Sequence, residues 1–335
     1  MARESIIPVF VPHLGCPNDC VFCNQRRISG HTAPATAQTV REAVERADTL
    51  LPKGAARQLA FYGGSFTAIP VDTQTELLGE AKRCLDRGLI SSVRLSTRPD
   101  AIDGEVLHRL RRFGVETVEL GAQSMDDEVL LLSGRGHTAE DVETAARLIK
   151  AQGFRLILQM MTGLPGDSRE KCIETARRLI ALSPDGLRIY PTVIVRDTEL
   201  YELWRRGLYR EHTVDEAVDW CADLLPMVDK AGIPVIRLGL NPTDELSGGA
   251  AVGGAYHPAL GELVQSRIML RRARELLTGI PEGKSVTLTV GRGKRSQMTG
   301  QHRCNLLALR GEFSLGSLTV RESGKNTNEI EIEIQ

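Results

Sequence analysis

Cys16-Pro17-Asn18-Asp19-Cys20-Val21-Phe22-Cys23 sets three cysteines close together near the start of the chain, spaced C-x3-C-x2-C, and the next cysteine is Cys84. An iron–sulfur cube held entirely by protein needs four thiolates, so three would leave one iron open to a substrate or cofactor. A zinc site on the same thiolates would want a fourth ligand, for which His13 and His31 are near in sequence. A disulfide with one spare thiol is a third reading. The odd total of seven cysteines and the lack of a secretory pattern in Met1-Ala2-Arg3-Glu4-Ser5 speak against it.

Outward from the triplet, the composition is that of an ordinary globular protein. Of 335 residues, 41% are apolar and 25% charged, enough for a barrel-sized core plus an extension. A formal net charge of −1 excludes a globally basic nucleic-acid binder while leaving room for a local basic patch. No apolar run approaches the length of a membrane span. Free thiolates and an oxygen-sensitive site fit a reducing cytoplasm.

Strand-like and helix-like stretches alternate after the triplet. Apolar, β-branched runs at Ile6–Val11, Gln58–Tyr62, Ser92–Thr97, Val115–Gly121, Phe154–Met161 and Leu187–Val193 read as strands. Helical periodicity at Thr36–Leu51, Val71–Arg87, Asp103–Phe113, Ala139–Gln152 and Ser168–Leu182 separates them. The expected fold class is α/β, a partial (β/α)6 barrel over residues 1–240, with active-site residues at the carboxyl ends of the strands. Residues 241–335 are expected to form a smaller α+β extension, a helix over Pro258–Leu277 followed by a β-rich segment.

Motifs recur where those strands end. Phe61-Tyr62-Gly63-Gly64-Ser65-Phe66-Thr67 pairs two glycines that let backbone approach a ligand closely, though a plain strand-to-helix turn has the same look. Ser96-Thr97-Arg98-Pro99-Asp100, Glu119-Leu120-Gly121-Ala122-Gln123-Ser124 and Gly134-Arg135-Gly136-His137-Thr138 follow in order. Then come Gly163-Leu164-Pro165-Gly166 and Leu187-Arg188-Ile189-Tyr190-Pro191-Thr192, with Arg196-Asp197-Thr198-Glu199-Leu200-Tyr201-Glu202-Leu203-Trp204 behind them. The cysteine spacing, with Phe22 before the third cysteine, resembles the cluster motif of radical S-adenosylmethionine (SAM) enzymes. The ordered set resembles the radical SAM half of the Elongator catalytic subunit family across most of the chain. A broader similarity, to the oxygen-independent coproporphyrinogen oxidase group, rests on the triplet and on the G-x-Q-S, R-x-H and G-L-P-G segments.

That resemblance implies a 4Fe–4S cluster on Cys16, Cys20 and Cys23 with SAM on the open iron. It implies Phe22, Gly63, Gly64, Ser65, Ser96, Gln123, Arg135, Gln159 and Gly163 as SAM-binding residues. Ser65 stands where the family's "GGE" segment carries an acid. Arg135 would take the SAM carboxylate, as its guanidinium fork suits, and Gln159 the ribose. The plainer alternatives are a solvated helix-end charge and a satisfied core amide. The implied chemistry is reductive cleavage of SAM to a 5′-deoxyadenosyl radical, fed by an electron donor such as ferredoxin or flavodoxin. The implied substrate is tRNA at its wobble uridine.

Two departures limit what carries over. The Elongator family usually has a wider gap between its first two cluster cysteines. It also continues into an acetyltransferase domain, for which a chain ending at Gln335 is expected to leave no room. A tetrapyrrole or small-molecule substrate, a non-catalytic cluster or haem carrier, and a zinc-dependent RNA-binding module therefore stand as alternatives.

The C-terminal part adds a stretch from Lys284 to Arg310 with Lys284, Arg292, Lys294, Arg295, Arg303 and Arg310 and no acid. Arg267, Arg271, Arg272 and Arg274 precede it. Such a stripe suits tRNA or another RNA through phosphate contacts, and equally a solvated hairpin turn. Glu329, Glu331 and Glu333 alternate with Ile330, Ile332 and Ile334, the pattern of an edge strand with one wet face. Cys84, Cys172 and Cys221 fall inside helix patterns and read as buried apolar groups. Cys304 and His257 carry no clear signal.

Overall fold

Each of the six strand-like runs becomes a strand, and all are parallel. β1 (Ser5–Phe10), β2 (Arg57–Tyr62), β3 (Ser92–Thr97), β4 (Val115–Gln123), β5 (Arg155–Thr162) and β6 (Gly186–Pro191) lie side by side in sequence order. The structure is a computed structural model that describes residues 5–11, 16, 20–24, 33–52, 55–243 and 246–335. His13 and His31, the zinc alternatives, lie outside the described residues. Helices α1 (Ala37–Leu50), α2 (Val71–Asp86), α3 (Gly104–Arg112), α4 (Asp127–Leu132), α5 (Ala139–Ala151) and α6 (Arg169–Ala181) connect the strands. Most begin where the sequence offers a short acceptor side chain. Thr36, Asp103, Asp126, Thr138 and Ser168 each accept a backbone N–H of the first turn.

Strands β2 to β5 are buried almost throughout, as expected of parallel strands covered on both faces. Phe10 at the end of the first strand and Leu240 beyond the last line one cavity, so the sheet curls into a partial barrel. The last expected strand, Leu187–Val193, splits. Pro191 ends β6, and Val193–Val195 forms β7 in a separate two-stranded ribbon with β9 (Ala251–Gly254). After α7 (Glu199–Arg205) and α8 (Val214–Lys230), a seventh parallel strand, β8 (Val235–Leu238), joins the sheet beside β6. It is four residues long, holds Arg237 and sits at the sheet edge, which is why its apolar signal is weak.

The chain divides into two compact units. One comprises residues 1–213 and 224–256, the other 214–223 and 257–335. The expected boundary at 240/241 falls inside the first unit, because β9 pairs with β7 and holds the glycine-rich stretch to the barrel.

In the second unit β10 (Ser285–Val290) lies between parallel β11 (Ser317–Glu322) and antiparallel β12 (Ile330–Ile334). The tail is thus less β-rich than expected. α10 (Arg295–Thr299) and α11 (Cys304–Glu312) interrupt it, and with α9 (Leu260–Leu277) they close a core of Met269, Leu277, Leu288, Met298 and Leu309. The acidic tail is the expected edge strand, with Glu331 and Glu333 exposed. Cys84, Cys172 and Cys221 are buried. Among the described residues no helix is long and apolar enough to cross a membrane.

Candidate functional site

The carboxyl ends of the parallel strands open onto a cavity of about 380 Å³. Cys16, Cys20, Cys23 and Phe22 line it together with Gly63, Gly64, Ser65, Ser96, Gln123, Arg135 and Gln159. Every residue expected at the site is therefore on its wall except Gly163. Among the described residues no three His, Cys, Asp or Glu side chains converge on one point.

The cysteine loop is held from both sides. Val21 N–H donates to Ser133 O (3.2 Å) just ahead of Arg135, and Leu200 N–H in the first turn of α7 donates to Val21 O (2.7 Å). Val21 and Phe22 pack among Ile194, Leu200, Tyr209 and Trp204. A Cys23 N–H to Cys20 O bond (2.9 Å) closes the tight turn between the last two cysteines. Cys16 Sγ donates to Ser65 Oγ (3.8 Å), so the residue standing in for the family's acid touches the first cysteine. Gly63, with φ +95°, occupies a conformation that disfavours any side chain.

Arg135 reaches in from the turn after α4. Its Nη1 donates to Cys20 Sγ (3.1 Å) and its Nη2 to Gly121 O (2.9 Å). Arg98, itself buried, holds the Arg135 backbone through Nη2 to Arg135 O (2.9 Å). The β4–β5 register slips between Gly121 and Gln123, and Gln123 takes φ +65°. This bulge turns the Gln123 amide toward Gln159, whose Nε2 donates to Gln123 Oε1 (3.2 Å). A Cβ at Gly121 would sit 2.8 Å from Gln123 Nε2, so the glycine makes room for the arrangement. Behind it, His137 Nε2 lies 3.2 Å from Ala122 O, and burial, with Arg135 nearby, pushes the His137 pKa down to about 4.

A buried polar network forms the other wall. Glu119, 3% exposed, accepts from Arg94 Nη1 (2.6 Å), Arg188 Nη2 (3.1 Å), Tyr62 Oη (3.2 Å) and Ser96 Oγ (3.4 Å). Burial first, and the Glu119 charge second, push the Tyr62 phenol well above its ordinary value, so it stays a donor. Glu119, Arg188 and Tyr190 stand in the quoted motifs, but sequence alone assigned them no role. The signal was there: charged residues at alternate positions of otherwise apolar parallel strands point inward together.

Gly163 serves the fold. Its N–H donates to Asp167 Oδ2 (2.8 Å), its carbonyl accepts from Tyr209 Oη (2.6 Å), and a Cβ there would lie 2.2 Å from His212 Cγ. Asp167 is half-buried, and its partial desolvation pushes its pKa up to about 6 against the two backbone N–H bonds it accepts. In the second unit, exposed Cys304 donates to its neighbour Asn305 Oδ1 (3.6 Å), and His257 Nδ1 accepts from Ala259 N–H.

The family model "Radical SAM superfamily" matches residues 10–179, and that of the "Radical_SAM C-terminal domain" matches residues 184–269. The chain belongs to the radical SAM superfamily of enzymes. Human Elongator complex protein 3 is 30% identical over 241 residues, 66% of this chain and 44% of its own. A tRNA uridine(34) acetyltransferase from Methanocaldococcus infernus is 30% identical over 185 residues, 48% of this chain and 34% of its own. The chain thus spans between a third and a half of the length of these curated relatives. In fold it is similar to the M. infernus Elp3 structure lacking residues 1–46, with a TM-score of 0.64 at 22% identity over 81% of this chain and 64% of that one. The likeness to the Elongator radical domain expected from the strand-end motifs holds.

Proposed function

We propose that this radical SAM enzyme holds a 4Fe–4S cluster on Cys16, Cys20 and Cys23 and SAM beside it, and that it modifies a tRNA uridine. One observation carries the cofactor reading: three soft thiolate donors and all the expected SAM contacts but Gly163 share the wall of a single cavity. The residues present fit both groups. Thiolates suit iron–sulfur clusters, and Gly63, on the cavity wall at φ +95°, sets no side chain between its backbone and a ligand. When bound, the cluster supplies the electron that splits SAM reductively, and an acidic carrier such as ferredoxin or flavodoxin would deliver it.

The protein's part is positioning and exclusion of water. Arg135, fixed by Gly121 O and by Arg98, presents a cation beside Cys20 where a carboxylate can meet it. Gln123 and Gln159 supply an amide pair for hydroxyl groups. Phe10, Phe22, Val193, Val195 and Leu246 furnish the apolar part of the wall. The tRNA reading rests on the relatives' names and on the exposed basic residues of the second unit, Arg292, Arg295 and Arg303.

Anaerobic reconstitution tests the first half. Serine at Cys16, Cys20 or Cys23 is expected to remove the brown cluster absorbance, and serine at Cys84, Cys172, Cys221 or Cys304 to leave it. A Cys20→Ser variant with a full cluster would sink the assignment. Nucleoside mass spectrometry of tRNA from cells with and without the gene tests the second half. An unchanged profile would move the substrate to the tetrapyrrole or small-molecule class.

A further inference from the structure

The wall opposite Arg135 is charged, preorganised and unassigned. Arg188 and Tyr190 sit at alternate positions of β6, on the face that lines the cavity. Arg188 Nη1 donates to Tyr190 Oη (3.2 Å). The phenol oxygen accepts there, so its own proton is left to donate, and it has no acceptor among the described residues. Arg188 Nη2 is committed to Tyr62 Oη (3.0 Å) and Glu119 Oε1, while Nε lies 3.0 Å from Glu119 Oε2 as an ion pair without hydrogen-bond geometry and is buried. Of the two N–H groups on Nη1, one is used by Tyr190 and one remains. Two donors therefore stand next to each other on the cavity wall, one of them borne by a cation.

The charge balance points the same way. Two guanidinium groups, Arg94 and Arg188, share the single carboxylate of Glu119. The cluster carries an excess positive charge in a largely buried setting, where an uncompensated charge is costly and a matching anion is strongly attracted.

We propose that Arg188 and Tyr190 form an oxyanion subsite for the substrate, taking the oxygens of a phosphate or a carboxylate. The subsite is separate from the contact assigned to SAM: Arg135 is bonded at Gly121 of β4, two strands from β6. The inference rests on the proposed function in that it takes this cavity to be the reaction chamber. It gives the substrate a fixed anchor there, so that the bond to be attacked is presented at a set distance from the cysteine side of the cavity. A tRNA nucleotide would bring the oxyanion as its flanking phosphate, and a small organic acid would bring it as a carboxylate.

Calorimetric titration of the reconstituted protein in the presence of SAM tests this. The probes are uridine 5′-monophosphate, uridine as the same nucleoside without an oxyanion, and acetate. Tyr190→Phe removes one hydroxyl and leaves the Glu119 network in place, so its folding is not at stake. Binding of the monophosphate but not of uridine, weakened about tenfold or more by Tyr190→Phe, is the expected result, the loss of a hydrogen bond to a charged group. Arg188→Lys, which keeps the charge but loses the fork, is expected to weaken it as well. Saturable acetate binding with the same dependence on Tyr190 supports the subsite and names the carboxylate source. Equal affinity in wild type and Tyr190→Phe, or no saturable binding of either anion, overturns the proposal. The same titration on Cys20→Ser separates the two readings. Anion binding that survives there while the cluster is lost leaves both standing, and anion binding by a triplet variant that keeps its cluster overturns the cofactor reading alone.

Discussion

Arg135 Nη1 lies 3.1 Å from Cys20 Sγ, although 115 residues separate the two in sequence. The bond joins the cysteine loop to the turn after α4, and a second one, Val21 N–H to Ser133 O, runs alongside it. A guanidinium held against that cysteine presents the forked donors that suit a carboxylate.

Removing that cation should weaken SAM binding without unfolding the protein. Arg135→Ala is expected to raise the SAM dissociation constant roughly 10- to 150-fold, the loss of a charge-assisted hydrogen bond of about 1.5–3 kcal/mol. Calorimetry on the reconstituted protein measures it, and unchanged affinity would remove Arg135 from the carboxylate role.

The parts of this site that were legible in sequence are those written in local pattern. Strands that alternate with helices fix the sheet order, and chemistry-bearing motifs just past each strand end then fall on one rim. What was not legible depends on distant partners. Glu119 looks like a polar interruption of a strand until Arg94, Arg188 and Tyr62 arrive from three other strands of the sheet. The bulge at Gln123 exists only relative to β5. Gly163 was placed at the cofactor through its motif, but it is required by His212, which comes from a loop after α7. Arg267 and Arg271 read as part of a basic stripe, yet Asp215, Asp219 and Asp223 on α8 neutralise them.

The Glu119 network should be costly to break. Glu119→Gln leaves Arg94 and Arg188 buried without their counter-charge, and a loss of about 3–5 kcal/mol is expected. Tyr62→Phe removes one donor and should cost closer to 1 kcal/mol. Denaturant unfolding distinguishes them. A Glu119→Gln variant as stable as Tyr62→Phe would mean that water compensates the pair.

His137 should leave a mark on acid stability. Its folded pKa, about 4, lies below the ordinary 6.5 because burial, and then Arg135, disfavour the charged ring. The neutral ring therefore contributes stability that is present above pH 6.5 and is lost as the pH falls toward 4, on the order of 3 kcal/mol at most. Asp167 acts in the opposite sense. Its folded pKa of about 6 is raised, so its contribution is present below the ordinary carboxylate value and lost as the pH rises through 6. Comparing His137→Gln with wild type cancels the Asp167 part. The variant is expected to lose stability less steeply between pH 6.5 and 4, and parallel profiles would show that the ring is solvated.

The basic side chains of the second unit divide into two groups, and RNA binding should tell them apart. Arg267 and Arg271 are paired with Asp219, and Arg274 Nε bonds to Glu312 Oε2 (2.8 Å), so these charges are already neutralised inside the unit. Arg310 Nη2 donates to Gly316 O (3.1 Å) and braces a turn. Arg292, in the turn after β10, and Arg295, the first residue of α10, are exposed and present their charge to a polyanion. Arg292→Glu with Arg295→Glu should weaken tRNA binding and reduce the slope of log affinity against log salt by roughly 0.7–0.9 for each phosphate that is no longer neutralised. Arg267→Gln with Arg271→Gln should lower the melting temperature through loss of the Asp219 pairs and leave that slope nearly unchanged. A flattened slope in the second variant but not the first would put the RNA on the α9 face, and an unchanged slope in both would remove the second unit from RNA binding altogether.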